Sequence, residues 1–136
     1  MTSTLGTEVR LAMSFSDALE RVRAALQTEG FGILTTIDMQ KAFRDKLGAD
    51  FRPYTILGAC NPPLAHKALT ASPELGLLLP CNVTVEELVP GTCMVRLVNP
   101  LAMLGSDPAS QPLELQQVAA DAEARLRRVA AVLAQH

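Results

Sequence analysis

Leu77-Leu-Leu-Pro-Cys-Asn-Val-Thr-Val-Glu-Glu-Leu-Val-Pro-Gly-Thr-Cys-Met-Val-Arg-Leu97 holds two alternating runs about one tight turn. Leu77, Leu79, Cys81, Val83 and Val85 share one face of a long strand. Pro90-Gly91 has proline and glycine where a type II turn wants them. Cys93, Val95 and Leu97 then line one face of the returning strand. A turn this short joins only antiparallel neighbours. At least part of the sheet is therefore antiparallel, which argues for α+β rather than a doubly wound sheet. Pro80 cannot donate to a ladder, so it suggests an edge or a bulge.

Working outward, Tyr54-Thr-Ile-Leu-Gly-Ala-Cys60 is nearly all apolar, as expected of an inner strand covered on both faces. Asn61 is a good N-cap, and Pro62 suits the first turn of a helix running to about Ala71. Upstream, Val9, Leu11 and Met13 alternate as a strand. Ser16 is a cap candidate for a helix with core residues Leu19, Val22 and Leu26, stopped at Gly30. Phe31, Ile33, Thr35 and Ile37 alternate again. Asp38 then caps a short helix closed by Gly48. Asn99 to Pro112 reads as a loop with one helical turn. Leu115, Ala119, Ala122, Leu126, Val129 and Leu133 form the stripe of a last amphipathic helix, which packs on the domain's own sheet in preference to a dimer seam.

The expected fold is α+β in two layers, a mixed, partly antiparallel sheet with helices packed on it, in the order βαβαβαββα. One domain spans residues 1–136, with 1–6 flexible.

Composition narrows the function. Apolar residues make up 49% of the 136, enough for one sizeable core, while aromatics are only 4%, so Leu, Val, Ile, Ala and Met must build it. Net charge is −2 with no basic stripe, and Arg125, Arg127 and Arg128 lie among Asp121 and Glu123 on a helix, so nucleic acid is not an expected partner. No apolar run is long enough to span a bilayer. Three cysteines without an export signal point to free thiols in the cytoplasm.

Two short runs stand out, Gly58-Ala-Cys60-Asn61-Pro62 and Leu79-Pro80-Cys81-Asn82-Val83. Each sets a Cys-Asn pair beside proline. Cys60 precedes a helix N-terminus, where partial positive charge favours a thiolate. The plainer reading makes it a small apolar filler, with Asn61 merely capping. Cys81 faces the side of Val83, Asn82 faces the other way, and Cys93 reads as core. His66 lies on the flank of its helix's buried arc. It starts too far along the helix to form a dyad with Cys60, and no zinc spacing is present. Glu86 and Glu87 point to opposite faces, so they form no carboxylate dyad, and they read as a solvated strand end.

The stretches Gly30 to Asp38, Ile56-Leu-Gly-Ala-Cys-Asn-Pro-Pro-Leu-Ala-His66 and Gly76 to Val83 resemble the family called domain of unknown function 302. The similarity runs from about Val9 into the last helix, and the Cys-Asn runs are its most specific part. The resemblance implies an α+β fold, commonly a homodimer. It draws attention to Cys60, Asn61, Pro62, His66, Pro80, Cys81 and Asn82 without giving any of them a role.

Three functions follow. First is a homodimeric binding module in which Cys60, Asn61, His66, Cys81 and Asn82 surround a small apolar ligand or a flat cofactor such as haem, with His66 as axial ligand. Second is a structural, accessory dimer whose cysteines are core. Third is a thiol-dependent enzyme or redox sensor using Cys60.

Overall fold

The hairpin is present, and the rest of the sheet grows from it. The computed structural model describes residues 4–135. Strands β1 (Gly6–Leu11), β2 (Gly32–Asp38), β3 (Tyr54–Cys60), β4 (Cys81–Val89) and β5 (Thr92–Val98) form one sheet in the order β1-β5-β4-β3-β2. Helices α1 (Phe15–Thr28), α2 (Met39–Leu47), α3 (Pro62–Ala71) and α4 (Leu113–Ala134) complete the expected element order. Of the end expected to be flexible, residues 1–3 lie outside the described residues, while Gly6 pairs with Val98 in β1.

All strand pairs are antiparallel, so the expected mixed sheet is corrected. The reason lies in the connections. Asp38 pairs with Thr55 and Ala59 with Cys81. The segments holding α2 and α3 are therefore long hairpin connections at opposite ends of β3, and neither crosses the sheet.

α1 and the C-terminal half of α4 cover one face. Leu11, Val22, Leu26, Leu57, Val83, Val85, Val95, Val129 and Leu133 are buried between the layers. The N-terminal half of α4, with Leu115, Val118, Ala119 and Ala122, packs instead on Leu64 and Ala68 of α3, with Leu75 and Leu104 from the adjoining 3-10 turns. Every stripe position expected on α4 is buried.

Local signals account for the ends of these elements. Asp38 accepts from Lys41 N at 2.9 Å to cap α2, and Gly48 closes it at φ +63°. α1 is capped by Ser14, which accepts from Asp17 N, and not by Ser16, because the helix begins one residue earlier than Ser16. The strand expected from Leu77 starts only at Cys81. Residues Pro73–Leu77 form a 3-10 turn instead, and Leu77 is 89% exposed. β4 is central, so Pro80, with no N–H to give, stands just outside it.

Two burial expectations change. In β2 the register shifts between Ile33 and Thr35, making Leu34 an extra residue and leaving Thr35 and Ile37 exposed. β3 is an inner strand, yet its two faces are covered unequally: Thr55, Leu57 and Ala59 on the helix side are buried, and Tyr54 and Ile56 on the other face are half-buried.

Candidate functional site

Asn61 is the joint from which the site is built. Its Oδ1 accepts from Leu64 N at 3.3 Å and caps α3. Its Nδ2 donates to Glu29 O at 3.3 Å, at the end of α1. Arg125 Nη1 of α4 donates to the same carbonyl at 3.0 Å. Three helices thus meet on one otherwise unpaired helix-end carbonyl. Gly30 permits this approach: its φ is +82°, and a Cβ there would lie 2.9 Å from Asn61 Nδ2. A second arginine of α4 serves this joint as well, since Arg128 pairs with the Glu29 carboxylate.

Beside the joint lies a cavity of about 210 Å³. Its floor is Ala59, Cys60 and Cys81 at the ends of β3 and β4. Leu64, Ala65 and Ala68 of α3 and Val118 and Ala122 of α4 form its walls, and Met103 closes one side. The space exists because alanines face one another where α3 and α4 meet. The lining contains no charged side chain or histidine, and its one amide, Asn61, already donates one hydrogen bond and accepts another.

Of the expected site residues, Cys60, Asn61 and Cys81 come together here, while His66 and Asn82 do not. His66 is exposed on α3 and absent from the lining. Asn82 pairs across from Gly58 on the opposite face of the sheet and is exposed. Haem ligation by His66 in this cavity is therefore corrected: the ligand points elsewhere, and the volume falls below the roughly 300–1,000 Å³ of pockets for drug-sized molecules.

The three thiols are free. Burial, and then the neighbouring Cys60, push the Cys81 thiol up to about 11. Burial, and then Glu87, also raise Cys93. Cys81 is thus a protonated, weakly nucleophilic group at neutral pH. Among the described residues, no group of three His, Cys, Asp or Glu side chains is placed to hold a metal ion.

The uncovered face of the sheet carries a second feature that sequence reasoning missed. Glu86, expected on a solvated strand end, is 4% exposed. It pairs with Arg52, and with Arg96 at 2.6 Å, and Arg96 in turn reaches Glu8 at 2.7 Å. Burial alone would raise the Glu86 carboxyl, but the hydrogen bonds from Arg96 and Arg52 outweigh it and hold the group below its ordinary value. On the same face Thr84 Oγ1 is buried without a partner.

Residues 7–133 match the family described as Domain of unknown function DUF302. The chain belongs to that family. The structure agrees: a solved DUF302 protein, the uncharacterized conserved protein from Bacillus stearothermophilus, superposes with a TM-score of 0.79 at 31% identity. The match covers 93% of this chain and 96% of that one. No curated protein matches the chain. Among the described residues of this DUF302 domain, no helix is long and apolar enough to cross a membrane.

Proposed function

We propose that this DUF302 domain is a binding module for a small, uncharged apolar molecule held in the cavity between α3, α4 and the Cys-Asn strand ends. One observation carries the reading. The cavity is lined almost wholly by apolar groups, and its only amide already donates one hydrogen bond and accepts another, so water gains little there. A dry, enclosed apolar cavity of about 150 Å³ in another protein takes up benzene or xenon; this one is somewhat larger and opens to solvent beside Leu34 and Leu69. No acid or base side chain shares the lining with Cys60, which favours binding over thiol catalysis. The test is a thermal titration with toluene. Binding to the folded state alone raises Tm with ligand concentration, by the equivalent of about 2.7 kcal/mol at a hundred times Kd. An unmoved Tm at saturating toluene contradicts the reading.

The module acts as a homodimer joined through the open face of its sheet. The support is the unpartnered Thr84 Oγ1 among half-buried Tyr54, Ile56, Met94 and Val98. Sedimentation equilibrium should give a dimer that Thr84→Arg converts to folded monomer. A monomeric parent protein, or a variant that remains dimeric, argues against this face.

A further inference from the structure

The cavity has a neighbour. A second space of about 100 Å³ lies beside it, reached past Leu78 and the 3-10 turn Pro100–Leu104. Two residues line both spaces, Cys81 and Met103. They are unequal as a partition. Cys81 is short and fixed on the first residue of β4. Met103 is half-buried on a short turn, and its unbranched thioether has three rotatable bonds. It can swing aside where Cys81 cannot.

We infer that Met103 is the movable partition between the two spaces, and that the molecule bound there is a flexible, unbranched alkyl chain threading both. This rests on the apolar-ligand reading above and names its ligand class. A rigid ring fills one space, whereas only a narrow, flexible molecule passes a neck between a thiol and a methionine. The far space is lined mainly by apolar groups, and Asn99 Oδ1 there already accepts from Leu101 N at 3.0 Å. A polar end of the molecule stays outside, since neither lining has a charge to receive it.

The experiment is calorimetric titration of the full chain with 1-alkanols of increasing length, comparing the parent protein with Met103→Ala. Each methylene buried tightens binding roughly fourfold until the chain meets Met103, where the parent protein's gain per carbon falls. In Met103→Ala the fourfold steps continue beyond that chain length. Met103→Phe, which stiffens and narrows the neck, shortens the longest chain bound, and it decides the matter if the alanine variant does not fold. Identical length dependence in parent and variant overturns the partition while leaving the cavity reading intact. Failure of every alkanol to bind any of the proteins overturns both.

Discussion

Ala68→Leu separates an empty cavity from an ordinary packed core by the sign of its effect. Ala68 is 1% exposed, lines the cavity, and faces Ala119 and Ala122 where α3 meets α4. Leucine adds three carbons on a helix it does not disturb. If they enter vacant space, transfer at about 0.8 kcal/mol per carbon sets a ceiling near 2 kcal/mol. Residual strain lowers the gain to about 1–2 kcal/mol. Urea unfolding should show a higher midpoint at unchanged slope, and thermal unfolding a Tm raised by about 3–7 °C. Toluene should no longer raise Tm further. In a filled core the same leucine would be overpacked and cost about 1–3 kcal/mol. A destabilised variant that still responds to toluene would refute the reasoning.

The ion-pair network should report on acid stability. The folded-state pKa of Glu86 is lowered, so its contribution is present above the ordinary value of 4.5 and lost as pH falls through the folded value. Glu86→Gln should cost about 1–2 kcal/mol at pH 7, below the usual penalty for a broken buried pair because Arg52 and Arg96 regain water. Urea midpoints of the two proteins should converge in strong acid. Asn61→Ala removes both the cap of α3 and the tie to Glu29, and should cost about 1–2 kcal/mol by urea unfolding, with Asn61→Asp restoring the cap alone. Cys81 should alkylate slowly at pH 7.5 in the folded protein and quickly in urea, as read by mass mapping. Its raised pKa favours the neutral thiol of the folded state, so its stabilising share should fade as pH climbs from 9 toward 11.

Most of the fold was legible because its signals are local. Pro90-Gly91 announced the hairpin, Asp38 and Gly48 bounded α2, Asn61 capped α3, and the α4 stripe named its own core. The misreadings arose where distant partners decide. Ser14 and Ser16 are equivalent caps until the start of the helix is fixed. Leu77 and Leu79 alternate as strand residues do, but a central strand cannot begin before Pro80. Antiparallel pairing of β2 with β3 depends on where α2 returns the chain, which no period in the sequence records.

The site was half legible. The Cys-Asn runs marked its floor, since both end on adjacent strands. Its walls come from Ala68, Val118 and Ala122, whose smallness matters only once α3 and α4 are brought together. Small residues at helical spacing on both helices were the available signal. His66 and Asn82 drew attention by chemistry and proximity in sequence, and the turn of the helix and the pleat of the strand carry them away.

The most direct test of the central claim is a crystal of this protein pressurised with xenon. The account predicts one xenon site enclosed by Ala68, Cys81, Val118 and Ala122, with little change in the surrounding atoms. Ordered waters in that space, or side chains collapsed into it with no xenon bound, would contradict it.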